Sequence, residues 1–215
     1  PAEQAAMALP IGNGVQWAVV EAQAGPGRSL VVMGPGQQGL ACVMAARAAG
    51  ADLVILTGLA RDQHRLEVGR QLGADFTIPA DTDDVRARVH EITSGRGVDA
   101  VVDTTSAAAS DMVPLAIDLV KRKEGRIVVQ SLGGTIRDFP IDKLARKYIT
   151  VKCARGHSYA SVELAIQRIA SGRHPLDLLA THRLGLDDVD LAIRSTGGTG
   201  LADAIHVTVM PWANR

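Results

Sequence analysis

The sequence of 215 residues has little cysteine, no excess of charge and no long apolar run. Its two cysteines, Cys42 and Cys153, suit neither a metal cluster nor a disulfide framework, and both are predicted to be buried thiols. The 23 basic and 23 acidic residues give a formal net charge of 0, which argues against a nucleic-acid partner. No apolar run reaches the roughly 18 residues that span a bilayer, and no signal peptide opens the chain, so we expect a cytoplasmic protein with no membrane partner.

The sequence is nevertheless apolar enough to bury a sizeable core. Hydrophobic residues make up 47% of the chain, which excludes a mostly disordered protein. A length of 215 residues allows one large domain or a domain with an appendage. Because the first residue is Pro1 and not methionine, we expect a fragment, or a chain whose first part is missing.

Residues 29–50 are predicted to form a buried strand, a glycine turn and a helix, the unit that binds phosphate in dinucleotide folds. An apolar run at 31–33 suits a parallel strand that is covered on both faces. Gly34, Gly36 and Gly39 fit the pattern G-x-G-x-x-G. The first glycine permits a tight turn, the second lets a pyrophosphate approach the backbone, and the third lets helix and strand pack closely.

The helix after this turn is predicted to begin near Gln37. The unpaired backbone N–H groups at its start, those of Gln37 and Gln38 among them, can donate to phosphate oxygens, whereas Pro35 has no N–H. In a chain with 22 glycines the same pattern could also be an ordinary tight turn. The context favours the dinucleotide interpretation, because a strand precedes the glycines and a helix and a second apolar strand at 52–57 follow them.

Strand and helix patterns alternate along the rest of the chain. Further strands are predicted at 75–78, 97–103, 125–130 and 148–153, and helices at 62–72, 81–93, 111–120 and 162–171. Such alternation demands parallel strands with right-handed crossovers, so the predicted fold is a doubly wound (Rossmann) α/β fold with a six-stranded parallel sheet. Two helical pieces, separated by Gly12, Asn13 and Gly14, lead into the sheet, and a loop leads into the sixth strand.

Two segments, at 181–184 and 205–209, also have strand patterns but stand outside this alternation. We assign residues 1–157 to a dinucleotide-binding domain with its lead-in helices. Residues 158–215 are expected to form a helix and a short C-terminal appendage, a return segment that packs on a catalytic domain absent from this chain.

Several landmarks follow one another in a recognisable order. They are Pro26-Gly27, the turn from Gly34 to Gly39, Leu72-Gly73-Ala74-Asp75, Gly97-Val98-Asp99 with Val101-Val102-Asp103, Gly125-Arg126-Ile127-Val128, and Thr181-His182 followed by Leu186 and Ala192-Ile193. In this order they resemble the medium-chain alcohol dehydrogenase family, which includes zinc-dependent alcohol and polyol dehydrogenases and zinc-free quinone oxidoreductases. The resemblance covers essentially the whole chain and implies a cofactor domain without the catalytic domain that precedes it in the family.

The resemblance also shows which zinc ligands are absent. In zinc-dependent members a ligand, usually Cys or Asp, precedes the first motif glycine by about 25 residues, and Leu9 occupies that position here, where it cannot ligate a metal. A misalignment of one or two residues could hide the ligand, but residues 1–25 contain no Cys or His, and their acids are Glu3 and Glu21. The sequence therefore argues against zinc, and no metal ligand is assigned.

The residue that ends the second strand bears on the choice of cofactor. In NAD-preferring folds an Asp or Glu there, about 20 residues past the glycines, binds the ribose 2′-OH. Gly58 occupies that position and leaves room for a 2′-phosphate, and Arg61 follows closely as a cation that can bind it. Arg61 could instead only solvate the start of a helix. NADP(H) is favoured, with NAD(H) as the alternative.

The resemblance implies that three loops after the strands surround the nicotinamide half of the cofactor. The residues assigned there are Thr104 and Thr105 after the fourth strand, Ser131, Leu132 and Gly133 after the fifth, and Gly156 after the sixth. His157, in the last of these loops, is either a proton relay or a residue that lines the cleft. No catalytic acid or base is assigned, because the groups that polarise the substrate would lie on the absent domain.

Two functions from different classes remain. The first is the NADP(H)-binding portion of an oxidoreductase that transfers a hydride between the nicotinamide cofactor and a small alcohol or carbonyl substrate. The second is a nucleotide-binding module without catalysis, either a redox sensor or a subunit that recruits a catalytic partner. The C-terminal segment favours the first, because it has no evident role unless it packs on a catalytic domain. A homodimer is expected from the resemblance and from the unpaired edge of the sixth strand.

Overall fold

The computed structural model describes residues 1–106, 109–130, 135–137 and 139–212. Its centre is a six-stranded sheet with the order β3-β2-β1-β4-β5-β6, in which every neighbouring pair of strands is parallel. The strands are β1 Ser29–Met33, β2 Leu53–Gly58, β3 Phe76–Pro79, β4 Ala100–Asp103, β5 Arg126–Val129 and β6 Thr150–Cys153. The predicted doubly wound parallel sheet is confirmed.

Helices cover both faces of this sheet. They are α1 Ala2–Ala5, α2 Ala8–Gly14, α3 Gln37–Ala48, α4 Gln63–Gln71, α5 Val85–Ile92, α6 Ala109–Leu119, α7 Ile141–Lys147, α8 Tyr159–Ala170 and α9 Val189–Thr196. A π-helix, Val15–Glu21, continues α2 directly. Short 3-10 turns lie at Ala60–Asp62, Leu176–Leu178 and Leu186–Asp188.

Alternate residues of β1 enter two separate hydrophobic cores, one on each face of the sheet. Leu30 and Val32 pack with residues of α2, α3, α4 and α8, whereas Val31 and Met33 pack with residues of α5 and α6. None of these four side chains is more than 1% exposed. A strand that is buried on both faces is apolar at every position, which explains why the sequence shows a continuous apolar run here.

The lead-in helix differs from the prediction. Gly12, Asn13 and Gly14 do not separate two helical pieces, because α2 includes all three and passes directly into the π-helix. The two glycines have a packing role instead. A Cβ on Gly14 would lie 2.5 Å from the carbonyl oxygen of Ala41, and a Cβ on Gly12 would lie 3.0 Å from Val162 Cγ2. Their missing side chains let α2 approach α3 and α8 closely.

The connection between β5 and β6 contains a helix that the sequence analysis missed. A loop was predicted there, but α7 runs from Ile141 to Lys147. The prediction was wrong because this segment is short and highly charged and has no long apolar periodicity. Lys147 Nζ donates to the carbonyl oxygens of Ile117 at 2.6 Å and Val120 at 2.7 Å, and so satisfies acceptors at the end of α6. Tyr148 ends α7 in a left-handed conformation, so β6 begins at Thr150, two residues later than predicted.

The two cysteines lie in different environments. Cys42 is buried in α3 as predicted, and this burial raises the pKa of its thiol. Cys153 is exposed, so the prediction that it is buried is wrong. It ends β6, an edge strand whose four residues are all exposed, whereas its apolar sequence neighbours indicated a covered strand.

The C-terminal segment forms a small second sheet. Strands β7 His182–Leu184 and β8 Val207–Val209 pair in parallel, and α9 lies between them in the chain. Both predicted strands are therefore present. Arg65 Nη2, on α4, donates to the carbonyl oxygen of Ala204 at 2.7 Å. This bond connects α4 to the segment that precedes β8. Arg65 is half-buried.

Asp99 ties the amino ends of β1 and β4 together. Its carboxylate accepts from Ser29 N at 2.8 Å and Ser29 Oγ at 2.7 Å, and it pairs with Lys121 and Arg28. Burial opposes ionisation of Asp99, but the hydrogen bonds from Lys121 and Ser29 outweigh this effect and lower its pKa to about 2.

We therefore expect Asp99 to make the protein less stable in acid. Because its folded-state pKa lies below the value near 3.9 of an unfolded aspartate, the ionised carboxylate stabilises the fold above that pH. This contribution is lost as the pH falls towards 2. Urea unfolding of wild type and Asp99→Asn between about pH 2 and 6 measures the effect. The wild type should lose its advantage over the variant below about pH 4, and parallel pH profiles would contradict the assignment.

Candidate functional site

The chain reverses its direction of winding at β1. From β1 it passes through α3 to β2 on one side, and after β3 it returns through α5 to β4 on the other side. In open α/β sheets the crevice at the carboxyl ends of the two strands beside such a reversal is the usual ligand site. Met33 and Asp103 end these strands and are paired in register. The candidate site is the crevice above them.

The glycine turn at the end of β1 depends on two close backbone contacts. Gly34 has a φ of +97°, and its N–H donates to the carbonyl oxygen of Thr57 at 2.9 Å. A Cβ on Gly39 would lie 1.8 Å from the carbonyl oxygen of Gly34 and 2.8 Å from Thr104 Oγ1. Only glycine at position 39 lets α3 start this close to the strand.

Gly36 differs from the other two motif glycines because nothing lies within 4 Å of the position its Cβ would take. It is the N-cap of α3, with extended backbone angles and no capping side chain. The first N–H groups of the helix, which include those of Gln37 and Gln38, have no partner within the helix. The turn is thus a half-exposed cradle of backbone donors at the positive end of a 12-residue helix, and it fits a phosphate group.

Thr104 and Thr105 cover the turn from the β4 side. Thr104 Oγ1 donates to the carbonyl oxygen of Met33 at 2.8 Å and also lies 3.1 Å from that of Gly34. Thr105 donates through its N–H at 2.9 Å and its hydroxyl at 2.8 Å to Asp103 Oδ1. The two threonines predicted at the site therefore stand beside the glycine turn.

Asp103 is a residue of this site to which the sequence analysis gave no role. It is 1% exposed, and burial raises the pKa of its carboxyl group. Its Oδ2 is buried and has no hydrogen-bond partner among the described residues. The available signal was an acidic residue at the end of an apolar strand, because a buried carboxylate is costly unless it is paired or hydrogen-bonded.

Gly58 and Arg61 lie at the carboxyl end of β2 and just beyond it. Gly58 is the last residue of β2, and Arg61 is exposed in the 3-10 turn that follows. A Cβ on Gly58 would lie 2.7 Å from Pro35 Cγ and 3.1 Å from Leu66 Cδ2. The glycine therefore also allows Pro35 to pack on β2, a reason that the sequence pattern did not reveal.

Two carboxylates border Arg61. Asp62 Oδ2 accepts from Leu59 N at 3.0 Å, and Asp81 Oδ1 accepts from Ala60 N at 2.7 Å. These bonds fix the backbone of the turn and occupy two of its N–H donors. Arg61 itself is exposed, and its guanidinium is a group that can bind an anion.

The side chains of the first two residues of α3 reach other parts of the chain. Gln37 Oε1 lies 2.7 Å from Nδ1 of His206, whose pKa is lowered by burial and which the sequence analysis did not single out. Gln38 Oε1 accepts from Asn13 Nδ2 at 3.2 Å, and Asn13 Oδ1 lies 2.8 Å from His157 Nδ1. Residues 34–39, called the phosphate turn below after the group that they fit, are thus linked to the C-terminal segment and to the loop after β6.

One of the remaining predicted residues, Gly156, lies on the loop after β6. Gly156 has a φ of +74°, and its carbonyl oxygen accepts from Trp17 Nε1 at 2.9 Å. Three residues assigned to the nicotinamide half lie outside the described residues: Ser131, Leu132 and Gly133.

The described part of the chain was also searched for metal ligands and for membrane spans. It contains no group of three or more His, Cys, Asp or Glu side chains that could hold a metal ion. None of the helices in the same ranges is both long and apolar enough to cross a bilayer.

The chain is similar in sequence to dehydrogenases. The family model described as zinc-binding dehydrogenase matches residues 39–171. A Mycobacterium tuberculosis protein named "Probable alcohol dehydrogenase adh" is 33% identical over 214 residues, which are 97% of this chain and 58% of that protein. A sorbitol dehydrogenase of Halalkalibacterium halodurans is 30% identical over 197 residues, which are 90% of this chain and 55% of the relative. The chain thus spans little more than half the length of these relatives.

Solved structures share the same fold. The alcohol dehydrogenase TADH from Thermus sp. ATN1 matches with a TM-score of 0.83 at 24% identity, over 98% of this chain and 58% of that one. An alcohol dehydrogenase from Thermotoga maritima matches with a TM-score of 0.79 at 26% identity, over 93% and 54%.

Proposed function

Because the chain belongs to the zinc-binding dehydrogenase family, we propose that it is the NADP(H)-binding portion of an oxidoreductase. The whole enzyme would transfer a hydride between the nicotinamide cofactor and a small alcohol or carbonyl substrate. The alcohol and sorbitol dehydrogenase names of the relatives support this substrate class. The same names give no support to a nucleotide-binding module without catalysis.

The glycine turn is the observation on which this proposal rests. Gly39 brings α3 against the end of β1, and Gly36 leaves open the space above the N–H groups of the helix. A pyrophosphate suits that position, because its oxygens accept hydrogen bonds and the helix start favours negative charge. Replacing Gly36 with a residue that carries a side chain would fill the cradle.

The roles of the other residues follow from their places around the crevice. Backbone N–H groups of Gln37 and Gln38 would bind the pyrophosphate. Thr104, Thr105 and Gly156 would border the nicotinamide half. The resemblance assigns Ser131, Leu132 and Gly133, which lie outside the described residues, to the same half. When bound, the nicotinamide ring supplies the hydride chemistry, and this chain binds and orients it.

The preference for NADP(H) over NAD(H) rests on Gly58 and Arg61. Gly58 carries no carboxylate to accept hydrogen bonds from a ribose 2′-OH or to repel a phosphate in its place. Arg61 is an exposed cation on the next turn and can bind a 2′-phosphate. NAD(H) is the alternative cofactor.

Fluorescence titration with NADPH tests the proposal. Wild type should bind NADPH saturably, and Gly36→Asp should lose at least about tenfold in affinity, because it places a carboxylate against the phosphates. Gly25→Asp is the matched control: its nearest contact is 3.8 Å away, near the amino end of β1. No NADPH or NADH binding by wild type, or equal binding by Gly36→Asp, would overturn the proposal.

The isolated chain is expected to bind the cofactor without turning over substrate. Assays with a panel of alcohols and aldehydes should give rates no higher than those of Gly36→Asp, because the substrate-polarising groups would lie on another domain. A clear excess over that variant would contradict this part of the proposal.

We also propose that this chain holds no zinc and forms a homodimer. Leu9 stands where the zinc-dependent members have a ligand, and about one zinc per purified chain in metal analysis would contradict the first statement. The dimer would pair the exposed edge of β6, beside which the described residues form no further strand. A monomeric mass in light scattering at micromolar concentration would contradict the second statement.

A further inference from the structure

The loop after β6 is held by three residues of the lead-in helix, one for each of three consecutive loop residues. Trp17 Nε1 donates to the carbonyl oxygen of Gly156 at 2.9 Å. Asn13 Oδ1 lies 2.8 Å from His157 Nδ1. Gln16 Oε1 accepts from the N–H of Ser158 at 3.0 Å, and also from Ser161 Oγ at 2.8 Å. These contacts join segments about 140 positions apart in the chain.

Asn13 differs from the other two residues because it also contacts the phosphate turn. Its Nδ2 donates to Gln38 Oε1 at 3.2 Å, on the opposite side of its amide from His157. Since an amide oxygen can only accept, His157 Nδ1 carries the proton in its bond to Asn13. The three side chains form one directed chain of hydrogen bonds, from His157 through Asn13 to Gln38.

The backbone on both sides of Asn13 is closely packed. Gly12 and Gly14 on either side of it pack tightly on α8 and α3, where added Cβ atoms would lie 3.0 Å from Val162 and 2.5 Å from Ala41. The π-helix that follows supplies Gln16 and Trp17, and π-helical turns occur frequently at functional sites. The amide of Asn13 is therefore supported by a rigid frame.

We propose that Asn13 is a positioning residue that couples the phosphate turn to the loop after β6. This inference rests on the proposed function, because the two parts it joins are those assigned to the pyrophosphate and to the nicotinamide half of the cofactor. Holding both parts to one amide fixes the distance across the cleft before the cofactor arrives. A preorganised cleft binds more tightly because less ordering remains to be done on binding.

The coupling can first be measured without any cofactor. The ring ¹⁵N shifts of His157 should change in Gln38→Ala, although the two side chains are not in direct contact. In a background of Asn13→Leu, or of Asn13→Ala with its smaller side chain, the bridge is already broken. Gln38→Ala should then leave the His157 shifts unchanged. In a Gln16→Ala background, which loosens the same loop but keeps the bridge, Gln38→Ala should still move the shifts.

Titration with NADPH then measures the consequence for binding. His157→Ala should weaken NADPH binding by about fivefold in wild type and by less than twofold in Asn13→Leu, because the bridge is already broken there. The inference would be overturned if His157→Ala weakened NADPH binding equally in both backgrounds. It would also be overturned if Gln38→Ala left the ¹⁵N shifts of His157 unchanged in wild type. If wild type binds no dinucleotide, the proposed function fails, and the ¹⁵N measurement still decides whether the bridge exists.

Discussion

Gly39→Ala is expected to destabilise the protein by about 3 kcal/mol or more, and to abolish cofactor binding with it. The added methyl group would lie 1.8 Å from the carbonyl oxygen of Gly34, which is backbone and cannot turn aside as a side chain would. Either α3 moves away from β1, or the turn is rebuilt. In both cases the N–H groups at the helix start leave their positions. Urea unfolding monitored by circular dichroism measures the loss.

Gly36→Ala is the matched control for this prediction, because both substitutions add one methyl group to the same turn. Nothing lies within 4 Å of the Gly36 Cβ position, and the backbone there has an extended conformation that alanine adopts readily. We expect a stability within about 1 kcal/mol of wild type, together with weaker NADPH binding, because the methyl group enters the space proposed for the pyrophosphate. A Gly39→Ala variant as stable as Gly36→Ala would contradict the packing account.

The second large effect concerns the choice between NADPH and NADH. A hydrogen bond to a charged group contributes about 1.5–3 kcal/mol, so Arg61 should make NADPH bind roughly tenfold to a hundredfold more tightly than NADH. Arg61→Ala should remove most of this preference and leave the affinity for NADH almost unchanged. Arg122→Ala, which removes another exposed arginine, serves as the control. Equal wild-type affinities for the two cofactors would contradict the assignment.

Two neighbours of Arg61 refine this experiment. Asp81→Asn keeps an oxygen for the hydrogen bond from Ala60 and removes a negative charge beside the proposed phosphate, so it should strengthen the preference for NADPH.

Gly58→Asp introduces the carboxylate that favours NADH. Its Cβ would also come within 2.7 Å of the Pro35 ring, so a loss of stability should accompany the change in preference.

The sheet was predictable because its strands carry strong local signals. Central strands such as β1 and β2 contain apolar runs, at 30–33 and 53–56, and Gly50 and Gly73 follow the helices α3 and α4 that lead into β2 and β3. The turn at Gly34 was predictable for the same reason, since the glycine spacing is itself the geometric requirement. The apolar runs and the glycines that end helices and turns thus predict most of the strands and helices of this fold.

The errors arose where distant contacts decide the local structure. Gly12 and Gly14 resemble a helix break, but their role is to let α2 approach α3 and α8. Helix α7 is short and charged, and Lys147 gains its partners only from the carbonyl oxygens at the end of α6. Cys153 follows an apolar run but ends an edge strand.

The candidate site was predictable only in part for a similar reason. The glycines and threonines occupy positions that the fold fixes, so motif order locates them. The contacts of Asn13 with His157 and Gln38, and of His206 with Gln37, join segments that are far apart in sequence. No local pattern indicates such pairs, because each depends on how the lead-in helix and the C-terminal segment fold back onto the crevice.

A crystal structure of the chain with NADPH tests the central claim most directly. The account predicts that the pyrophosphate lies above Gly36, with its oxygens about 2.7–3.2 Å from the backbone nitrogens at the start of α3, and that the 2′-phosphate contacts Arg61. A dinucleotide bound elsewhere on the sheet, or a pyrophosphate at the turn with no contact to these N–H groups, would contradict it.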